Sequence, residues 1–362
     1  MIYPLLKPFL FKADPEKAHE RIMSLGRKIS KHPSLLNAVR ALFYLEDERL
    51  RVQVGGLSFP NPIGLAAGFD KNAEAIPLFE ALGFGSVEVG TVTPRGQRGN
   101  EKPRLFRLLE DKGIINRMGF NNDGVNAMTH RISGISKNIV LGINIGKNKT
   151  TPNEDALSDY QICLTEAYGH GDYFTINISS PNTPGLRGLQ ELESLSPLLE
   201  GLLETREKMS KTYGVKPLWL KLAPDLSSEE LEKICVLSMK LKLDALVLTN
   251  TTLARPEYLV NEQKAQAGGL SGKPVRELSN QKLKEAAGFT AGKMPLVGVG
   301  GVFHAKDVVE KLTLGASLVQ VYSGMIYEGP GLIKEIKEGL LKYIMEHDFK
   351  RLDQISTKEL QG

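Results

Sequence analysis

The chain predicts an α/β protein: one closed (β/α)8 barrel, the TIM-barrel arrangement, with a small N-terminal helical extension. Three observations carry this. From about residue 63 onward, eight short β-rich runs alternate with helical patterns. The apolar part of each run is short and nearly continuous, as strands buried on both faces of a parallel sheet require. Each run ends in glycine or polar residues, at the C-terminal strand ends where barrels place their sites. A length of 362 residues holds one such barrel and a small appendage.

The first forty residues stand outside the barrel pattern. Tyr3 to Phe11 is short and apolar, with prolines at 4 and 8. Asp14-Pro15 is a helix start, with Asp14 as N-cap and Pro15 at the first helical position. Ala18, Ile22, Leu25 and Ile29 then form one stripe, flanked by Lys17, Arg21, Arg27, Lys28 and Lys31. A basic amphipathic helix beside an apolar one suggests a membrane-surface element. A helical hairpin packed on the side of the barrel would show the same stripe.

The expected strands follow in order. They are Ile63–Gly68, Ser86–Thr93, Leu141–Gly146, Tyr173–Ser180, Leu218–Ala223, Ala245–Thr251, Pro295–Gly301 and Leu318–Ser323. Their ends carry Ala67-Gly68, Thr91, Asn144, Asn177, Lys221, Thr249-Asn250-Thr251, Gly300-Gly301 and Tyr322-Ser323. A barrel built only for stability needs no such set. Two insertions interrupt the alternation. Residues 104–118 alternate around Asp111-Lys112-Gly113 and read as a β-hairpin. Residues 253–276 are polar and Gly-rich, a long loop of the kind that covers a ligand.

Composition narrows the function. With 41% hydrophobic and 24% charged residues the chain is ordinary for a globular enzyme. A net charge of +4, spread along the sequence, is too weak for a nucleic-acid protein. Cys163 and Cys235 sit in apolar helical contexts without a CxxC or histidine partner. Zinc and a disulfide framework are therefore not expected, and a reducing compartment is. No run reaches transmembrane length, and the N-terminus lacks the pattern of a cleaved leader or transit peptide.

The strand ends suggest the chemistry. Val297 to Gly301 closes the seventh strand and Tyr322-Ser323-Gly324 the eighth, and glycines there let backbone N–H groups approach a phosphate. Glycines of tight turns would look alike. Gly298-x-Gly300 is no dinucleotide fingerprint, because no acidic ribose partner follows. Lys221, inside a strand, is costly unless an anion or an electron-rich ring stabilises it. An isoalloxazine fits, since a cation near its N1–C2=O edge stabilises the reduced anion. A Schiff-base lysine is the competing reading. Lys71, after Ala66-Ala67-Gly68, can pair with a ligand carboxylate or a flavin, or be solvated. The run Asn116 to Asn122 adds carboxamides whose donors and acceptors match a ring bearing lactam groups. The segment Asn177-Ile178-Ser179-Ser180-Pro181-Asn182 holds no Cys and no His, so a base here is Ser180.

These segments resemble family 2, quinone-dependent, dihydroorotate dehydrogenases over essentially the whole length. They are Gly64–Asn72, Gly90–Pro94, Lys102–Leu108, Asn116–Asn122, Gly142–Asn148, Asn177–Arg187, Lys221–Asp225, Thr249–Thr252, Gly268–Gly272 and Gly298–Gly301, with Tyr322–Ser323. The resemblance implies FMN held by Ala67, Gly68, Lys71, Thr91, Asn144, Asn177, Lys221, Thr249, Gly272, Gly301, Tyr322 and Ser323. It implies substrate contacts from Lys71, Asn116, Arg117, Met118, Gly119, Phe120, Asn177, Asn182, Asn250 and Thr251. It also implies oxidation of (S)-dihydroorotate to orotate, the redox step of pyrimidine biosynthesis. Ser180 would remove the C5 proton while hydride passes from C6 to flavin N5. A neutral serine is a poor base, so the proton must be passed on, by water or Thr183.

The resemblance divides the chain into a quinone- and membrane-docking segment (residues 1–45), an FMN-binding barrel (46–345) and a polar tail (346–362). Serine in the base position and the extra N-terminal helices point to a membrane quinone as oxidant, ubiquinone or menaquinone, reached by a tunnel under those helices. The expected location is peripheral, on the cytoplasmic face of a bacterial inner membrane. No iron–sulfur partner subunit and no nucleic acid is expected. Other classes remain open at this point: a fumarate- or NAD-linked flavin barrel, a non-redox phosphate-metabolite barrel, and a membrane-bound module with a dead barrel.

Overall fold

The structure, a computed structural model, describes residues 3–355. It opens with three helices, α1 (Tyr3–Lys12), α2 (Pro15–Ser30) and α3 (Pro33–Phe43). Asp14 caps α2 as expected: its side chain accepts from the Lys17 N–H at 2.9 Å, and Pro15 begins the first turn. An antiparallel pair, β1 (Val52–Val54) and β2 (Leu57–Phe59), leads into the barrel.

The barrel strands and helices then alternate: β3 (Ile63–Leu65), α4 (Ile76–Ala81) and β4 (Ser86–Val92). A hairpin of β5 (Leu105–Leu108) and β6 (Gly113–Asn116) intervenes before α5 (Val125–Ser133). There follow β7 (Val140–Ile145), α6 (Ala156–Ala167), β8 (Tyr173–Asn177), α7 (Leu192–Tyr213), β9 (Leu218–Leu222), α8 (Ser228–Lys240) and β10 (Ala245–Leu248). The remainder is β11 (Gly269–Gly272), α9 (Arg276–Thr290), β12 (Leu296–Val299), α10 (Ala305–Thr313), β13 (Leu318–Val321), α11 (Ser323–Glu328) and α12 (Leu332–Glu346). Strands β3, β4, β7, β8, β9, β10, β12 and β13 close in that order into a parallel barrel.

All eight expected strands form, but each leaves the ladder one to three residues before its expected end. The reason is physical. The polar tip residues bend over the barrel mouth, where their side chains and backbone groups face the site instead of a neighbouring strand. The expected hairpin forms as β5 and β6, with Lys112 left-handed at the turn (φ 46°). The loop 253–276 is more ordered than its composition implies: β11 adds to β6 and completes a three-stranded antiparallel sheet beside the mouth.

Aromatic rings fill the lower barrel. Tyr173 and Trp219 stack with centroids 3.7 Å apart, and Phe59 from β2 lies 6.5 Å from Trp219. Gly142 makes room, because a Cβ there would sit 2.1 Å from the Tyr173 ring. Cys163 and Cys235 are buried and unpaired in α6 and α8. After α12, Leu352 and Ile355 are buried in the core.

The N-terminal helices are tied to the barrel through the hairpin. Arg104 makes an ion pair with Glu16 at 2.7 Å, both side chains buried. Arg107 donates to the carbonyls of Leu10 (3.1 Å) and Ala13 (3.0 Å) at the junction of α1 and α2. Phe11 meets Tyr327 edge-on at 5.5 Å. The apolar stripe of α2 is not simply sealed against the barrel: Ala18, Ile22, Leu25 and Ile29 line an apolar cavity.

Candidate active site

A cavity opens at the C-terminal ends of the barrel strands. Of the residues expected in the site, Ala67, Gly68, Lys71, Thr91, Asn116, Met118, Gly119, Phe120, Asn177, Ser180, Asn182, Lys221, Thr249, Asn250, Thr251, Gly272, Gly301, Tyr322 and Ser323 all line it. Two do not. Asn144 lies behind the wall and acts on it through hydrogen bonds. The Arg117 guanidinium turns away, stacking over Phe106 and donating to Gln266 and Ala267 at 3.1 Å each.

The carboxamide side of the cavity is a directed network. Asn177 Nδ2 donates to Thr91 Oγ1 (2.9 Å) and Asn144 Oδ1 (3.0 Å). Its own Oδ1 accepts from the Ser179 hydroxyl at 3.1 Å. Asn250 donates to Ser179 Oγ at 3.0 Å, and Asn182 donates to Asn116 Oδ1 at 3.1 Å. An amide offers both a donor and an acceptor, so each bond fixes which end faces the cavity. Ser180 is buried, and its Oγ accepts from the Asn182 N–H at 3.3 Å. That bond uses a lone pair and leaves the hydroxyl proton uncommitted. Thr183 Oγ1 and Thr251 Oγ1 are buried with no partner among the described residues.

Beneath this network lies Glu88, which sequence reasoning passed over. It is fully buried on β4. Its carboxyl oxygens accept from Asn144 Nδ2 (2.7 Å), Gln320 Nε2 (2.7 Å) and the Tyr173 hydroxyl (3.2 Å). Two amide groups and one hydroxyl thus converge on it. By taking Asn144 Nδ2, Glu88 forces Asn144 Oδ1 toward Thr91 and Asn177, and so sets the polarity of the array above. The signal was present in the sequence: a glutamate inside the apolar run Ser86-Val87-Glu88-Val89. Gln320 and Val275 also line the cavity and were not singled out.

Lys221 is buried in the cavity floor. Burial pushes its ammonium down from the usual lysine range, and the Glu88 charge partly restores it. Its ammonium meets no acceptor among the described residues. Lys71 is half-buried at the cavity wall, and desolvation lowers it to about 8, with nearby charges acting in both directions. Tyr322 is held neutral, its phenol pushed up to about 12 by burial.

These features test the fit of a flavin nucleotide. Thr251 Oγ1 and Gln320 Oε1, both on cavity residues, are buried polar atoms without a partner among the described residues. Buried polar groups of this kind call for a polar ligand. At the other side, Gly272 (φ 91°) and Gly301 (φ 72°) hold left-handed backbone against Lys112 and Arg276, where a Cβ would clash at 2.3 Å. Their N–H groups, with Ser323, suit an anion. The donor set therefore fits a ring with lactam edges carrying a phosphate tail.

A second cavity lies under α1 and α2. Its walls are almost wholly apolar, and its polar groups include His19, Arg107 and the Tyr3 and Tyr322 side chains. His19 is pushed down to about 3, first by burial and then by the Lys71 charge, so it is neutral near pH 7. Tyr322 lines both cavities. Phe69 backs it at 5.5 Å, and His19 meets Phe69 at 5.2 Å.

Comparison with known proteins agrees with this geometry. The sequence profile of the family described as dihydroorotate dehydrogenase matches residues 49–344. A protein of Idiomarina loihiensis named dihydroorotate dehydrogenase (quinone) is 49% identical over 337 residues, which are 92% of this chain and 99% of the relative. One of Shewanella halifaxensis with the same name is 48% identical over 340 residues, 93% of this chain and 98% of the relative. Among solved structures, the Eimeria tenella DHODH in complex with ferulenol superposes with a TM-score of 0.87 at 38% identity, over 94% of each chain. The chain belongs to the dihydroorotate dehydrogenase family.

Proposed function

We propose that the protein oxidises dihydroorotate to orotate at the polar cavity and passes the electrons to a quinone held in the apolar one. The observation that supports this most is Tyr322, a wall common to both cavities. A ligand on one side and an acceptor on the other are then separated by little more than this ring and Phe69. A non-redox barrel has no use for a second, apolar chamber.

The fit described above supports FMN as the cofactor. Ala67, Gly68, Lys71, Thr91, Asn177, Lys221 and Thr249 would surround its ring, with Asn144 acting from behind. Gly272, Gly301, Tyr322 and Ser323 would hold its phosphate side. Bound there, FMN supplies two-electron acceptance from the substrate and onward transfer to the quinone.

The chain's own residues do the rest. The carboxamides Asn116, Asn182 and Asn250, with Thr251, orient the pyrimidinedione. Lys71 holds its carboxylate, and Met118, Gly119 and Phe120 cover it. The Arg117 side chain serves the loop 253–276 rather than the substrate. Ser180 receives the C5 proton as its own hydroxyl proton departs. Thr183, three residues on with an unpartnered hydroxyl, is an acceptor on the same loop. No Ser180–Thr183 hydrogen bond is present, so a water would complete that path.

At the apolar cavity, neutral His19 and the Arg107 guanidinium are the groups able to meet quinone oxygens, and the apolar walls take its tail. The three N-terminal helices carry exposed Leu5, Leu6, Phe9, Leu35 and Leu42, and the same segment holds Lys7, Lys12 and Lys31. Apolar residues beside cations suit peripheral attachment to an anionic leaflet. No helix among the described residues is long and apolar enough to cross a membrane. A bacterial cytoplasmic membrane face is the location this reading favours, with ubiquinone or menaquinone as acceptor.

The test is spectroscopic. Purified protein should be yellow, should bleach when dihydroorotate is added under argon, and should recover colour with a quinone. A colourless protein, or a flavin that dihydroorotate leaves oxidised, would contradict the proposal.

A further inference from the structure

Two of the sequence motifs end in a charged residue that the site does not use: Arg187 after the serine loop and Asp225 after the lysine strand. The fold brings them together. Arg187 Nη1 pairs with Asp225 Oδ2 at 2.7 Å. Its Nε donates to the Ser179 carbonyl at 3.1 Å, and its Nη2 to the Thr251 carbonyl at 2.8 Å. Asp225 in turn accepts from the Thr252 hydroxyl and, at 3.4 Å, from the Leu253 N–H.

One guanidinium therefore joins the loops that follow β8, β9 and β10. Two of these carry the groups around the substrate. Ser179 immediately precedes Ser180, and Thr251 follows Asn250. Gly185, left-handed at φ 70°, turns the chain so that Arg187 returns to Ser179. Gln190 Oε1, accepting from the Ala223 N–H at 2.9 Å, is a separate tie between the first two loops. The pair is partly exposed, at 21% and 27%, so it adds little to global stability. A planar fork with fixed donor directions is suited to geometry instead.

We propose that Arg187, braced by Asp225, is a positioning residue that holds Ser180 and Thr251 at a fixed separation across the substrate. It touches neither substrate nor cofactor. This rests on the reading of Ser180 as proton acceptor. Lysine could keep the ion pair but could not reach both carbonyls in the same plane.

The experiment measures the two half-reactions separately in Arg187→Ala and Arg187→Lys. Both variants should keep their flavin, their melting temperature and their rate of reoxidation by quinone. Flavin bleaching by dihydroorotate should slow by roughly 10²-fold, the scale of a misplaced reacting group. Added guanidinium chloride, below denaturing concentration, should recover part of the rate in Arg187→Ala. In a Ser180→Ala background, Arg187→Ala should cost little more, because both changes act on one step.

Wild-type bleaching in Arg187→Lys, or equal loss of both half-reactions with a lowered melting temperature, overturns the proposal. A full further loss in the double variant also overturns it. Ser180→Ala alone separates the two claims. Wild-type bleaching there refutes the base assignment, whereas a normal Arg187→Ala beside a slow Ser180→Ala refutes only the latch.

Discussion

At the scale of single residues, the site is one of hydroxyls and amides, and its strength lies in direction. Ser180 keeps an uncommitted proton because the partner of its hydroxyl among the described residues, the Asn182 N–H, takes a lone pair. Ser180→Ala should retain flavin and orotate binding and lose bleaching by dihydroorotate by about 10²–10⁴-fold, the usual contribution of a general base. Stopped-flow absorbance measures this, and a rate near wild type would remove Ser180 from the mechanism. Lys71 gives a pH dependence. Burial lowers its ammonium to about 8 in the free protein, so the charged form dominates below that pH. As pH rises through about 8 the cation is lost, and kcat/KM for dihydroorotate should fall, while stability should if anything rise, because the unfolded chain still holds that proton up to the ordinary lysine range. Lys71→Gln should flatten that limb; an unchanged profile would place the titration elsewhere. Most of the site was legible at this scale, because residue types at strand ends predict what faces a barrel mouth. Arg117 shows the limit. Its loop was correctly placed at the cavity, but side-chain direction depends on Phe106 and the loop 253–276, which no local pattern encodes. Glu88 was missed for the opposite reason, being a lone charge in an apolar run whose three partners come from three other strands.

At the scale of elements, the hairpin decides how the N-terminal helices sit. The stripe on α2 was legible in the sequence, but not what it faces, since a surface helix, a membrane helix and a cavity wall share one periodicity. Arg104 and Arg107 settle its placement by gripping α2 and the α1–α2 junction from β5 and its approach. Burial alone would push the Glu16 carboxyl up; Arg104 and then Lys102 outweigh it, and the net shift is downward. A lowered carboxyl contributes stability above its ordinary range and loses it as pH falls through the folded value. Docking of α2 should therefore weaken in acid. Arg104→Met leaves buried Glu16 with the exposed Lys102 ammonium at 3.3 Å as its remaining ion-pair partner, a cost of up to about 3–5 kcal/mol if the helix stays docked. The expected outcome is local undocking: faster amide exchange in α1 and α2, with the barrel strands unchanged. Uniformly faster exchange would show that the pair braces the whole fold. The loop 253–276 shows a similar limit. Its length marked it as a cover, but pairing of β11 with β6 spans more than 150 residues of sequence, beyond any local signal.

At the scale of the whole molecule, the account rests on two chambers with one wall. The closed barrel builds the polar chamber from the ends of seven strands, with Asn144 of β7 behind the wall, and the extension builds the apolar one. Removing residues 1–40 would test the division, but it would also strip Arg104 and Arg107 of their partners. A filled cavity is the cleaner change. Ile22 lines the apolar chamber, is 40% exposed, and lies far in sequence from every strand end. The decisive measurement is therefore a pair of anaerobic stopped-flow traces on Ile22→Trp. One follows bleaching of the flavin by dihydroorotate, and the other follows reoxidation of the reduced protein by a long-chain quinone. The account predicts unchanged bleaching and reoxidation slowed by roughly 10-fold or more, equivalent to at least about 1.4 kcal/mol. Reoxidation at the wild-type rate, or equal loss in both traces, would contradict it.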